Sequence, residues 1–449
     1  MTPDAPARPF TVNPASVRRF RRYPEYKDSG VEWLGAVPVG WGVEKLKYNC
    51  TYNDDSLNED TNPNYLMNYV DIQSVDFISG IKTTEEFRFE KSPSRARRIV
   101  KDGDIIVSTV RTYLKAIAPI NNPQNNLIVS TGFAVIRPKM EINNSFAGYL
   151  LRCNYFIAFV VSHSEGVSYP AINSSELVKT MLPIPPLPEQ RQIADFLDRE
   201  TQNIDSLIAK KKGFIELLEE KRTSLISHAV TKGLDPDSEM KDSGVEWLGA
   251  VPVGWDVKKL KYAAKIIAGQ SPHESTYNEK GIGSILINGP AEYSNSDFGY
   301  TKEIKWTTDP IKWAKKDSLL FCLRGSTTGR LNIAHDNVSI GRGVAAIIAL
   351  FNQNYLNNFM ISMREYIIKT ANGSTYPSIT SEYLSNYKIS LPYLPEQRQI
   401  ADFLDRETQN IDKIIEKTEE QIIKLEEYRT ALISAAVTGK IDVREEASA

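Results

Sequence analysis

Two stretches of this chain are written twice. Lys27–Trp41 reads KDSGVEWLGAVPVGW, and the same fifteen residues recur at Lys241–Trp255. Leu187–Asp205 reads LPEQRQIADFLDRETQNID, and those nineteen residues recur at Leu394–Asp412. The segments between them hardly match. A chain that repeats its frame but not its filling builds a pseudo-two-fold scaffold presenting two different surfaces. The first blocks are offset by 214 residues and the second by 207, so the variable segments differ in length by only seven. They are expected to be two versions of one small domain.

A length of 449 residues is too great for one core and implies three or four domains. The longest apolar runs, such as Tyr155–Val161, are too short to cross a bilayer, and the N-terminus lacks the apolar core of a signal peptide. Arg18, Arg19, Arg21 and Arg22 belong to an arm over residues 1–25 expected to be solvated and poorly ordered. Cys50, Cys153 and Cys322 are scattered, as are His163, His228, His273 and His335. That spacing predicts no metal site and fits a reduced, cytoplasmic setting without membrane contact. The net charge of −2 argues against indiscriminate DNA binding. Residues 49–187 carry 13 basic and 14 acidic side chains, and residues 263–394 carry 13 and 10, so any basic surface must be local.

The variable segments share a coarse pattern. Asp104–Val110 and Leu127–Ile136 read as strands in the first, with Ser318–Leu323 and Val344–Leu350 in the equivalent places. An amphipathic helix follows each, over Ser145–His163 and Asn354–Thr370. Then come a glycine turn and an aromatic–proline pair, Gly166 with Tyr169–Pro170 and Gly373 with Tyr376–Pro377. The LPEQ blocks open long helices, since Pro188 and Pro395 suit a first turn and Glu189 and Glu396 its positive dipole end. Apolar residues recur every three or four positions: Ile193, Leu197, Ile204, Leu207, Ile208, Ile215, Leu218 and Leu225, then Ile400, Leu404, Ile411, Ile414, Ile415, Ile422, Leu425 and Leu432. Gly233 and Gly439 mark the ends. One narrow seam over about 64 Å is not stable alone, so the two helices are expected to pair antiparallel.

The KDSGVEWLGAVPVGW frame, the GxxYP turns and the twin LPEQ helix starts together resemble the specificity subunit of Type I restriction–modification enzymes, from about Tyr26 to Asp442. The fold class expected is α+β/α/β: two similar small mixed target recognition domains separated by two long helices in an antiparallel coiled coil. Boundaries follow at 26–187 (frame 27–48), 188–233, 240–394 (frame 241–262), 395–439 and a tail over 440–449. The resemblance implies a non-catalytic subunit that reads a bipartite, asymmetric site on double-stranded DNA. It also implies two docked modification subunits carrying S-adenosylmethionine for adenine methylation, and restriction/translocase subunits using ATP and Mg. No cofactor is expected in this chain. The residues agree: there is no GxxxxGK[ST] loop, no GxGxxG and no Asn/Asp-Pro-Pro-aromatic string. Glu303-Ile304-Lys305 imitates the tail of a nuclease motif without its upstream Pro-Asp.

Candidate DNA contacts follow from residue type and place. Arg111 and Arg324 each lie seven residues after an aspartate at the end of an apolar strand, beside Tyr113 and Lys115 or Ser326 and Thr327. Arginine there can reach a guanine edge while hydroxyls hold phosphate; the alternative is a structural arginine paired with an acidic neighbour. Arg330 and Arg342 are further candidates, as are Arg95, Arg97 and Arg98, which form the densest basic run of the first domain with Lys91. Tyr169 and Tyr376 either lie on DNA or plug the core beneath the turn, the core being the preferred reading. Trp33, Trp41, Trp247 and Trp255 stand in identical copies, so they cannot encode different half-sites. With Phe196 and Phe403 they are expected to serve structure or partner docking.

Overall fold

The computed structural model describes residues 20–166, 169–295, 298–370 and 378–445. The chain divides into two compact units, one of residues 1–211 with 420–449 and the other of 212–419. Each unit holds one variable domain, the start of the long helix that follows it and the end of the other long helix.

In the first unit the two four-stranded sheets of the variable domain are built from β1 (Cys50–Tyr52), β2 (Leu66–Val70), β3 (Glu85–Arg88), β4 (Ala96–Ile99), β5 (Ile105–Ser108), β6 (Ile117–Pro119), β7 (Leu127–Ser130) and β8 (Phe133–Pro138). One sheet has the order β6-β5-β8-β1 and is antiparallel throughout. The other has the order β3-β2-β7-β4, with β2 and β7 parallel. Helices α1 (Asn144–Leu150), α2 (Asn154–Ser162) and α3 (Leu187–Lys232) follow.

In the second unit the two larger sheets are built from β9 (Ala264–Ala268), β10 (Tyr277–Asn278), β11 (Ser284–Ile287), β12 (Trp306–Thr307), β13 (Trp313–Ala314), β14 (Leu319–Cys322), β15 (Leu331–Ile333), β16 (Val338–Ile340) and β17 (Val344–Ala349). They make an antiparallel sheet β15-β14-β17-β9 and a mixed sheet β10-β12-β11-β16-β13 with β11 and β16 parallel. In strand order these two sheets match those of the first domain, with one edge strand, β10, added; the first domain has in addition a short hairpin, Val75–Asp76 with Gly80–Ile81. Helices α4 (Gln353–Ser362), α5 (Arg364–Lys369) and α6 (Leu394–Val437) complete the chain.

Burial on both faces explains the central apolar strands. Leu319 and Phe321 of β14 pack with Tyr355, Phe359 and Met360 of α4. Leu320 and Cys322, pointing the other way, pack with Ile287, Val338 and Ile340 of the second sheet. Where one strand was expected over Leu127–Ile136, two are found, in different sheets. A Cβ on Gly132 would lie 2.8 Å from Ile72 Cδ1, so glycine lets the chain cross between the sheets. The helix expected over Ser145–His163 is likewise two, α1 and α2, bent by 57°. Its counterpart breaks between α4 and α5 at Met363. No single described helix is long and apolar enough to cross a membrane.

Within each unit the long helices run antiparallel. In the first, Lys211 Nζ donates to Gln421 Oε1 at 2.6 Å, while the Arg429 guanidinium grips both oxygens of Asp205 at 2.9 and 3.2 Å. In the second, Arg222 pairs with Asp412, the counterparts of Arg429 and Asp205 in the repeat. Ile193, Leu197, Ile204 and Ile208 are buried, as are Ile400, Leu404, Ile411 and Ile422. Leu207 and Ile414, equivalent positions counted in the seam, are each 43% exposed. Each sits one residue, about 100° of helical turn, from the buried or half-buried residue that follows it.

Each frame block closes on the end of the other block's helix. Gly439 (φ +70°) packs on Pro38 and Trp41, and the Lys440 ammonium donates to the carbonyls of Leu34 (2.9 Å) and Ala36 (2.6 Å). In the second unit Gly233 (φ +82°) packs on Pro252 and Trp255, and Lys232 donates to Leu248 and Ala250. The tail continues to Asp442, whose N–H donates to Arg21 O at 2.8 Å, and Val443 is fully buried.

The two interhelical ion pairs are the same letters at different depths. The Arg429 side chain is 8% exposed, whereas Arg222 and Asp412 are 31% and 62% exposed. Arg429→Ala is expected to lower stability by about 2 kcal/mol, and Arg222→Ala by less than about 1 kcal/mol. Urea denaturation of both variants checks the difference.

Candidate nucleic-acid interface

Several polar side chains of the first domain meet where β2 and β5 end. Beyond β5, Thr109 Oγ1 donates to Gly132 O at 2.9 Å and anchors the turn. Arg111 (φ +50°) and Lys115 (φ +51°) are both left-handed and flank a 3-10 turn at Thr112–Leu114. Non-glycine residues hold that conformation only where the surroundings enforce it. Here the anchor is Thr112, 4% exposed, with Oγ1 2.9 Å from Ser164 Oγ. The turn thus buries Thr112 and leaves Tyr113, Leu114 and Lys115 exposed.

Tyr169 is 65% exposed, so the core position expected for it is overturned. Its ring carries the Arg111 guanidinium 5.0 Å from the centroid. Together with Asp71, Gln73 and Arg95 they line a cavity of about 430 Å³. Asp104, seven residues before Arg111, is engaged elsewhere: 1% exposed, it binds Arg137 through both oxygens at 2.8 Å, which counts against the alternative of an arginine paired with it. Arg137 also meets Asp55 at 2.8 Å, and these partners push its pKa upward.

The basic run divides. Arg95 faces the cavity. Arg97 donates to Ala96 O at 2.9 Å and lies over the Phe89 ring, 4.6 Å from its centroid. Arg98 is half-buried on β4, and burial lowers its pKa. Arg97 and Arg98 are therefore spent on packing, a division that Arg95–Arg98 as a string of letters does not reveal.

In the second domain Arg324 follows β14 as Arg111 follows β5, and it is exposed. Gly325 (φ +90°) makes the turn, Ser326 is exposed, and Thr327 Oγ1 approaches Cys322 Sγ at 3.6 Å. Arg342, just past β16, is exposed. Arg330 is committed, donating to Ser294 O at 3.0 Å. Asn288 follows β11 as Asp71 follows β2, and its Oδ1 accepts from Ser271 Oγ at 3.0 Å. Tyr376 lies outside the described residues. Asp71, Gln73 and Asn288 belong to no motif; only the pairing of strands brings them beside the arginines.

The aromatic residues of the repeats mostly face inward. Trp41 and Trp255 are 1% and 2% exposed and Phe196 1%, which leaves these three no face for a second protein. Docking as a role for them is corrected to packing. Trp33 stacks on Phe159 of α2 with centroids 5.5 Å apart, and Trp247 on Tyr366 of α5 at 5.3 Å. Both join frame to variable domain, although Trp33 remains 46% exposed. Phe403 is half-buried with Arg406 over its ring. Among the described residues no group of three or more His, Cys, Asp or Glu is placed to hold a metal.

The family described as the Type I restriction modification DNA specificity domain matches residues 61–217 and again 252–425. The putative type I restriction enzyme MjaX specificity subunit of Methanocaldococcus jannaschii is 28% identical over 92% of this chain and 96% of its own. The EcoBI specificity subunit of Escherichia coli is 23% identical over 64% of each. Among solved structures, a chain of a type I R-M system superposes with a TM-score of 0.73 at 26% identity, covering 89% of this chain and 98% of that one. The HsdS subunit of Thermoanaerobacter tengcongensis gives 0.55 at 27% identity, covering 90% and 98%. Two copies of one fold with unlike strand ends, each matched by the same family, lead to one conclusion: this chain belongs to the Type I restriction–modification DNA specificity family, as a non-catalytic specificity subunit.

Proposed function

We propose that the two variable domains each read one half of a bipartite, asymmetric target on double-stranded DNA, and that the helix pair spaces the halves. The observation that carries this reading is the shared strand order of the domains' main sheets combined with unlike side chains at matching strand ends, Asp71 after β2 against Asn288 after β11. Symmetric readers recognise palindromes because their halves are identical. One frame with two fillings recognises two different words.

In this reading Arg95, Arg111, Arg324 and Arg342 approach base edges, and Tyr113, Lys115, Ser326 and Thr327 the backbone. Two modification subunits dock on the repeated surfaces, where Trp33, Trp247 and Phe403 keep some exposure. They supply S-adenosylmethionine and methylate adenine; restriction subunits bring ATP and Mg, and the assembly works in the cytoplasm.

Exchanging residues 49–187 for those of another specificity subunit, with the modification subunits present, is expected to change one half of the motif seen by methylome sequencing. A change in both halves, or in neither, overturns the reading. Replacing Lys115 by Ala is expected to weaken binding uniformly across sequences and to reduce the slope of log K against log salt by about one. Titrating duplex binding at several salt concentrations measures it.

A further inference from the structure

We propose that the cavity at the ends of β2 and β5 is a base-pair reader for guanine–cytosine, with Arg111 on the guanine edge and Asp71 on the cytosine amine. This rests on the reading of the first domain as a DNA reader, and assigns the chemistry of one position within its half-site.

The argument starts from unlike charges left unpaired. Asp71, Arg95 and Arg111 line one cavity of about 430 Å³, yet no ion pair within 4.0 Å joins them among the described residues. An arginine and an aspartate on one concave surface ordinarily close on each other. Here they do not. Arg111 is held in a left-handed turn anchored by Thr112, and its guanidinium lies on the Tyr169 ring. Asp71 caps a different strand, where its backbone carbonyl accepts from Ser74 N at 3.0 Å. Its carboxylate has no hydrogen-bond partner among the described residues, nor has the amide of Gln73. The cavity therefore offers a fork of donors and, apart from it, an acceptor, both held ready.

One base pair satisfies both. Guanine shows two acceptors, O6 and N7, in the major groove, and cytosine shows the N4 amine as a donor. An adenine–thymine pair can give Asp71 the adenine N6 amine, but it leaves Arg111 a single O4 acceptor beside a methyl group. Discrimination of roughly tenfold or more is expected from losing a bidentate contact. The Tyr169 ring beside the guanidinium limits where it can swing, which favours a bidentate contact. The second domain lacks this combination: its exposed arginines at the matching strand ends are Arg324 and Arg342, and the residue in the place of Asp71 is Asn288, already bonded to Ser271. The G·C reader is thus particular to the first half-site.

The test uses the full chain assembled with its modification subunits, acting on a random-sequence duplex library, with the methylated motif read by sequencing. Asp71→Asn and Arg111→Gln are each expected to relax the same single G·C position of one half-site by tenfold or more, leaving the other half-site unchanged. Retention of the wild-type motif by both variants overturns the proposal, as does relaxation at two different positions. Uniform loss of methylation with an unchanged motif also overturns it, since that marks a phosphate contact. A second measurement needs no variant: 7-deazaguanine, which lacks N7, placed at each guanine of the wild-type target in turn, is expected to weaken binding tenfold at one position. No sensitive position in that half-site overturns the proposal. Exchange of residues 49–187 separates the two levels. If the exchange moves one half of the motif but the point variants do not, the domain reads DNA and this cavity does not.

Discussion

A tryptophan against a left-handed glycine holds each unit together. Trp41 meets Gly439, and Trp255 meets Gly233, where a long helix stops. Beside each contact a lysine ammonium satisfies two carbonyls of the frame hairpin. A side chain in place of Gly439 would strike Pro38 at 2.4 Å, so the closure tolerates only glycine. Since each frame block closes on the helix that ends the other repeat, the first unit joins residues near Tyr26 to residues near Asp442. The tail follows from the same closure, since Asp442 N–H donates to Arg21 O.

Identity of sequence does not make the copies equal. Trp255 Nε1 donates to Glu396 Oε1 at 3.0 Å, whereas Trp41 Nε1 has no hydrogen-bond partner among the described residues. In the first unit Arg444 comes within 4.0 Å of Glu189 and lies over the Tyr23 ring. The repeat thus specifies a packing arrangement and leaves its polar details to the neighbours each copy meets. The variable domains show the converse: few letters agree, yet the central strands follow the same order, because a period of two with both faces buried is enough to define a central strand.

Much of the fold was legible in advance. The long helices, their glycine ends and the strands over Ile105–Ser108 and Leu319–Cys322 follow from local period and turn chemistry. What misled was continuity. Leu127–Ile136 is one apolar run but two strands in two sheets, because Gly132 marks a crossing that depends on Ile72, far off in sequence. The candidate interface was legible in part. Arg111 stands out as an arginine ending an apolar strand, but whether it is free depends on Asp104 having chosen Arg137. Tyr169 looked like a core residue because aromatic rings usually are, and the partner that exposes it is the Arg111 guanidinium.

The amino-acid sequence by itself determined the scaffold, the two-fold duplication and the family, since each is carried by residues near one another or by whole repeated words. Tertiary structure alone decided which polar groups are spent and which remain free. Arg97 is folded onto Phe89, Arg137 is shared between Asp104 and Asp55, and Arg330 is tied to Ser294, while Asp71, Gln73, Arg95 and Arg111 surround one cavity. The physical reason is that a charge is satisfied by whatever lies within a few ångströms of it, and strand pairing brings together residues that the linear order keeps apart.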